Sequence, residues 1–338
     1  MKKHSLPKVL VLILTSCLTY VFISCKEEVT TPPKVQEKVQ QTNKITVENG
    51  RLKFVDEKHF RKVFDELMKN QNHEYLKNWE SQFQNYTSMK RAYEKLTESD
   101  KVKIGETKSN KGYEGFLTLI KEGNEIEAIR NTEQPIHSIL FNHEGVILVG
   151  NSAYKLEYDR ILKINNFSEN KLKDVLKGNL SQEIKISPLK KERIAILDKN
   201  LRIKDVTNLD RECHNLYGSG DNRAFAGYFT LYGTPDVFGI DIDGAFYGYD
   251  AIAKHRKRTV GIWFNNNTSQ LRLQAQFLYF NGVSNQLITI DSGICYECSE
   301  SSVAQPFGAP GSTYPATGWV KSSGIGHDTF YHECTASK

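Results

Sequence analysis

The residues with the most specific chemical spacing lie after position 209. Cys295-Tyr296-Glu297-Cys298 sets two thiols three positions apart, with Cys213 before them and Cys334 after. A Cys-x-x-Cys pair can place two thiolates on one zinc ion, and His327, His332 and Cys334 can supply the remaining tetrahedral ligands. Cys295, Cys298, His332 and Cys334 are thus the alternative metal set. The same pair can act as a dithiol redox couple, or the four cysteines can be structural disulfides. A second cluster is Lys254-His255-Arg256-Lys257-Arg258, suited to phosphate, sulfate or acidic glycans. A charged hairpin tip or a guarded strand edge explains the same run. Asp241 and Asp243 stand two apart beside Gly244 and, with Asp236 or Asp250, form a calcium candidate, although Asp-Gly makes a plain turn more readily. His327-Asp328 and His332 have the residue types of a hydrolase triad. No Gly-x-Ser-x-Gly elbow, His-Glu-x-x-His helix or Gly-rich phosphate loop accompanies them. Tyr247, Tyr249, Trp263 and Tyr314 are either core or sugar-stacking rings.

The N-terminus states where such chemistry would operate. Lys2, Lys3 and Lys8 precede an apolar run from Val9 to Ile23, and no acidic residue comes before Glu27. The run is short against the roughly 20 residues of a membrane span and has the layout of a secretory signal over residues 1–24. Val21-Phe22-Ile23-Ser24-Cys25 resembles the lipobox of bacterial lipoproteins, with Phe22 where leucine is usual. The resemblance implies a diacylglycerol thioether on Cys25 and stable anchoring by several acyl chains. Cys25-Lys26-Glu27-Glu28 resembles the surface-export signal of Bacteroidota lipoproteins, which implies the outer face of the outer membrane. A solvated start is the alternative for Lys26, Glu27 and Glu28.

Export also bears on the thiols. Six cysteines occur in the sequence; Cys17 leaves with the signal and Cys25 takes the lipid, so an even set remains. Outside the cytoplasm that favours two disulfides over a metal site. Direct pairing of Cys295 with Cys298 closes a very small loop and gains little chain entropy. One of them is therefore expected with Cys213 and the other with Cys334.

Residues 25–44 contain Thr30-Thr31-Pro32-Pro33 and no aromatic residue, the composition of a flexible tether. Order is expected from Ile45. Leu52–Phe54 alternates as a strand, and Asp56 precedes Phe60, Val63, Phe64, Leu67 and Met68 at helical spacing. Tyr75, Leu76, Trp79 and Phe83 mark a second helix; Met89, Ala92, Tyr93 and Leu96 mark a third. Ile136–Phe141 and Val146–Val149 flank Asn142-His143-Glu144-Gly145 as an expected hairpin, with Tyr154–Leu156 as a further strand. Ser168 and Gly178 bracket a short helix over Glu169–Lys177. Leu201–Val206 reads as another strand.

From 209 the helical stripes vanish. Strands are expected over Tyr228–Tyr232, Val237–Ile242, Ala245–Tyr249, Val260–Phe264, Leu271–Phe280 and Leu287–Ile290. The Ser, Gly and Pro content of residues 299–326 points to a loop. The predicted fold is an α+β domain over 45–208, with a helical front and β-hairpins. An all-β, antiparallel, sandwich-like domain stapled by disulfides follows over 209–338.

Leu52-Lys53-Phe54-Val55-Asp56-Glu57, Trp79-Glu80, Leu140-Phe141-Asn142-His143-Glu144-Gly145-Val146 and Val149-Gly150-Asn151 together resemble a pattern in Bacteroidota lipoproteins of an uncharacterised family. The pattern covers about a third of the chain and implies address and architecture, with no catalytic residue.

The chain has 45 basic and 40 acidic residues. Loss of Lys2, Lys3 and Lys8 leaves 42 against 40, so nothing points to nucleic acid. The functional expectation is a non-enzymatic, lipid-anchored surface protein that binds or displays. It needs no cofactor, touches the membrane through its lipid, and meets a glycan, a host protein or an envelope partner. An envelope hydrolase acting on glycan or peptide, and an accessory subunit of an outer-membrane complex, are the alternatives.

Overall fold

The computed structural model describes residues 44–122, 124–188, 190–193, 212–234, 246–280, 284–307 and 313–337. The signal, Cys25, Lys26, Glu27, Glu28, the strands expected over Leu201–Val206 and Val237–Ile242, and the Asp241/Asp243 pair lie outside them. The described chain is mostly β with several helices and sheets, and residues 43–338 form one compact unit. No helix among the described residues is long and apolar enough to cross a membrane.

Helices gather at the front: α1 (Glu57–Lys69), α2 (His73–Ser81), α3 (Met89–Glu94), α4 (Glu98–Thr107), α5 (Pro135–Leu140) and α6 (Glu169–Leu176). Their starts follow local chemistry. The Asp56 side chain accepts from His59 N, Asn72 from Glu74 N, Ser88 from Arg91 N and Ser168 from Lys171 N, satisfying donors that a first turn leaves open. Thr97 and Asp100 form a capping box that starts α4.

The first sheet runs β1 (Thr46–Glu48), β2 (Arg51–Phe54), β5 (Val146–Val149), β6 (Ser152–Leu156), β7 (Arg160–Ile164), β8 (Ile184–Pro188). Alternation along β5 divides its faces. Ile147 and Val149 join Phe54, Phe60, Leu67, Leu76 and Tyr93 in the main core, while Val146 and Leu148 meet Leu172 and Val175 of α6.

Of the strand expected over Ile136–Phe141, residues 136–140 lie in α5 instead and Phe141 is its extended C-cap. Pro135 sits in its first turn and the Gln134 side chain accepts from His137 N. All six residues of α5 are buried, so no polar face was there to show a helical period.

The second sheet runs β10 (Glu212–Tyr217), β11 (Arg223–Thr234), β12 (Phe246–Thr259), β13 (Ile262–Asn265), β4 (Glu125–Arg130), β3 (Leu117–Glu122). In addition β16 (Glu300–Phe307) pairs with β12 and β9 (Lys190–Arg193) with β11. The third sheet runs β15 (Asn285–Cys298), β14 (Thr268–Phe280), β17 (Thr313–Ile325), β18 (Tyr331–Ser337). The 299–326 segment is therefore strand over most of its described length. Its small residues fit where chains approach closely: a Cβ on Gly324 would lie 2.0 Å from Gln270 O and 2.8 Å from Phe225 Cε1. Phe225, Ala251 and Ala253 of the second sheet share a core with Leu271, Leu273, Ala275 and Val320 of the third.

The expected boundary at 208/209 does not separate two sheets. Strand β4 pairs in parallel with β13, Ile126 opposite Ile262 and Glu127 opposite Trp263. Ile262 and Phe264 complete the core of the helical front. The rear is also not purely antiparallel, for the same reason.

Candidate functional site

The basic run lies within β12 instead of at a hairpin tip; the turn falls at Val260-Gly261, both with positive φ (47° and 76°). Alternation sends Lys254, Arg256 and Arg258 to one side, where β4 presents Glu125 and Glu127. Lys254, 1% exposed, bonds Glu133 and lies 3.4 Å from Glu127. Arg256 Nη1 is 3.0 Å from Glu127 Oε2, and its Nη2 meets His214 Nδ1 at 2.8 Å. Arg258 pairs with Glu125 and stacks on buried Trp263 at 4.5 Å, while Lys257 reaches Glu98 at 2.9 Å. Tyr228 Oη donates to Glu133 at 2.5 Å. The run is an ion-pair ladder joining rear to front, and its cations already have carboxylates. Of the two readings of this run, a free anion site and a charged tip or guarded edge, the lysines and arginines follow neither: they are engaged by carboxylates within the sheet.

His255 faces the other way. Its Nδ1 meets Asn266 O at 2.6 Å, so this nitrogen is the donor. Tyr217 Oη then donates to Nε2 at 2.5 Å. Burial pushes His255 down to about 4; His327 and Arg223 add to this against the Asn266 hydrogen bond.

The cysteines pair as Cys213–Cys334 and Cys295–Cys298, with Cα separations of 5.5 and 6.0 Å. This corrects the expected pairing. Cys334 is on β18 and Cys295 on β15, opposite edges of one sheet. Three strand spacings put them roughly 14 Å apart, twice the reach of a disulfide. The same distance breaks up the alternative metal set of Cys295, Cys298, His332 and Cys334. His332 instead stacks on Tyr217 at 4.1 Å and holds Asp328 at 2.9 Å. That contact, in which His332 Nε2 faces both Asp328 oxygens, and the His327 Nε2 bond to Asn267 O at 2.8 Å, occupy the triad candidates. Side-chain placements of Tyr247, Tyr249 and Tyr314 lie outside the described residues.

What the sequence did not single out is a cleft of ≈ 650 Å³ between the front helices and strands β15 and β16. One wall carries His73 and Lys77 of α2 and Lys90 of α3; the other carries Tyr296, Glu297, Ser301 and Ser302. His73 and Lys77 are four apart and share a helix face. Burial, then Lys90, then Lys77, hold His73 down to about 4. Arg130 and Glu300 form a buried pair within the cleft, and Asn265 Nδ2 donates to Glu300 at 2.9 Å. The Cys295–Cys298 link closes the two-residue lip bearing Tyr296, which is 64% exposed, and Glu297, at φ 51°. A second depression of ≈ 740 Å³ lies beside α6. Its Lys171 is tied to Glu183 at 2.9 Å, so the first cleft is the better-equipped one. Only the i, i+4 spacing of His73 and Lys77 on the polar side of a helix signalled this wall in the sequence.

No protein-family model matches the chain, and no curated protein matches it. Among solved structures it is similar to the crystal structure of a DUF4848 family protein from Bacteroides thetaiotaomicron. That similarity has 11% identity over 87% of this chain and 100% of the other, at a TM-score of 0.28, too low to carry an argument about fold or function.

Proposed function

We propose that this chain is a lipid-anchored protein of the outer membrane, held through Cys25 and facing outward, that binds a charged ligand in the cleft between α2 and β15–β16. The binding role is non-catalytic. The two rear sheets act as a sandwich-like scaffold that presents the strand wall, and the ligand is a glycan or another envelope component. One observation carries the reading. His73, Lys77, Lys90 and Glu297 line the cleft, and among the described residues no side-chain hydrogen bond or ion pair ties them, whereas the 254–258 lysines and arginines are engaged by carboxylates. Charged groups left without protein partners in a concave site are suited to a ligand.

The test is a glycan array with the purified protein beside its Lys77→Ala/Lys90→Ala variant. Glycan binding lost in the variant supports the reading; binding unaffected by the variant removes the cleft from it. Radiolabelled palmitate tests the anchor, since Cys25→Ala should take up none. Equal labelling of parent and variant would exclude lipidation at Cys25. Protease shaving of intact cells tests the export run, because alanines at Lys26, Glu27 and Glu28 should reduce surface display.

A further inference from the structure

Resting on the cleft-binding reading above, we propose that the helical wall is a site for a tetrahedral oxyanion, a phosphate or sulfate ester on a larger ligand, gripped by Lys77, Lys90 and, on acidification, His73.

The geometry supplies three donors from two helices. His73 and Lys77 project from successive turns of α2, and Lys90 comes from α3; all three line the same cleft. They are close enough that both lysines act electrostatically on His73. Like charges brought together repel; Glu74, beside His73 on α2, is the one acid of this wall that lines the cleft, against the two lysines and His73. A bound anion would convert that repulsion into attraction. A carboxylate offers two oxygens, whereas a phosphate or sulfate group offers three or more, which suits donors converging from different directions. The cleft volume of ≈ 650 Å³ also exceeds what one such group fills, leaving space for the molecule that carries it.

The opposite wall defines which way the ligand lies. Of its acids, Asp291 is held by Arg272 and Glu300 by Arg130 and Asn265. Glu297 remains, with the Ser301 and Ser302 side chains and the exposed Tyr296 ring. Glu74 lies next to His73 on α2, and Asn78 donates to it at 3.5 Å. The Glu297 carboxylate on the strand wall repels an oxyanion, so the ester group sits against the helices beside Lys77 and Lys90, and its hydroxyl-bearing carrier faces the strands.

His73 gives this site a signature that plain lysine binding lacks. Without ligand its imidazole is neutral at pH 7, kept so by burial, Lys90 and Lys77. An anion in the cleft offsets the two lysines and accepts a hydrogen bond from the imidazolium. Binding is therefore coupled to proton uptake on His73 between about pH 4 and about pH 6.5, its unperturbed value. Sulfate is the diagnostic probe because its own charge is constant over that range.

The experiment is titration calorimetry of the full chain with inorganic sulfate, inorganic phosphate, a sugar sulfate and a sugar phosphate, at constant ionic strength from pH 7 to pH 5. Sulfate affinity should rise as pH falls. Each of Lys77→Ala and Lys90→Ala should weaken binding about tenfold, the loss of one charge-assisted hydrogen bond. His73→Gln should abolish the rise, so that within this variant sulfate affinity at pH 5 equals its affinity at pH 7. Tighter binding of the phosphate pair than of the sulfate pair at pH 7 would identify the ester. No oxyanion binding by protein of unchanged circular dichroism, or equal binding by the lysine variants, would overturn the inference. If uncharged glycans still bind and lose affinity in Lys77→Ala/Lys90→Ala, the cleft-binding reading stands without it. If nothing binds at the cleft, both fall.

Discussion

The Gln71 side chain and the Ala304 backbone hold each other twice: Gln71 Nε2 donates to Ala304 O at 2.7 Å, and Ala304 N donates to Gln71 Oε1 at 2.7 Å. A carboxamide thus stands where a neighbouring strand would be, fastening the segment before α2 to β16. Gln71 also lines the cleft, so this clasp sets the spacing of the cleft walls. Gln71→Ala leaves a backbone donor and acceptor without their partner and should cost about 1–3 kcal/mol. Urea unfolding measures the loss, and ligand affinity should fall with it. Gln71→Glu keeps the acceptor but loses the donor, so its deficit should be comparable at neutral pH.

Lys254 should behave as a structural cation. Lys254→Ala removes the buried cation from Glu133, which keeps the Tyr228 hydroxyl, and leaves Glu127 to Arg256; it should destabilise by about 3–5 kcal/mol. Lys254→Met with Glu133→Gln, which removes both charges at similar volume, should recover a large part of that in thermal unfolding. If Lys254→Ala leaves the melting temperature unchanged but weakens binding of an anion, the ladder is a ligand site after all.

The two disulfides should contribute unequally. Cys213–Cys334 spans 121 positions and joins β10 to β18, so Cys213→Ala/Cys334→Ala should cost about 2–5 kcal/mol. Cys295–Cys298 spans 3 positions and should contribute little through chain entropy, its effect falling on the Tyr296-Glu297 lip. Peptide mapping without reduction should recover these two links; a peptide joining Cys295 or Cys298 to Cys334 would contradict the strand order.

Acid should weaken the fold before the carboxylates titrate. His255 titrates at about 4 in the folded chain and near 6.5 when unfolded. Between those values the unfolded chain binds the extra proton, so stability is complete above about pH 6.5 and falls as pH drops toward 4. The full span is worth up to about 3 kcal/mol. His73 adds a loss of the same sign, reduced by its partial exposure. Denaturant midpoints at pH 7.5, 6 and 5 follow this decline, and His255→Gln should flatten its slope.

The amphipathic front was legible because its helices have one wet face. Phe60 and Leu67 are buried as their spacing predicts, Asp56 and Ser168 cap where expected, and Gly178 follows α6 at φ 84°. Helix α5 was not legible because burial on all sides erases the period that betrays a helix. Residues 299–326 look like loop by composition, yet Ser322 and Ser323 are buried in β17, where small side chains let neighbouring chains approach. Charge runs mislead for a related reason. Residues 254–258 look solvated when read along the chain, but their acids sit far earlier, at Glu98, Glu125, Glu127 and Glu133. The cleft has the same origin: residues of α2 and β15, more than two hundred positions apart, line one pocket that no local pattern announces.

The parallel pairing of β4 with β13 also imposes an order of events. When the chain has emerged only as far as residue 130, Ile126 and Glu127 have no partner on that side, and the front core lacks Ile262 and Phe264. Completion waits for more than a hundred further residues, a high-contact-order step that is intrinsically slow. Until then an open strand edge and an unfilled apolar core coexist, the combination that recruits other chains. The chain passes through that interval with both features exposed. Its yield on refolding should therefore depend more steeply on concentration than its final stability suggests.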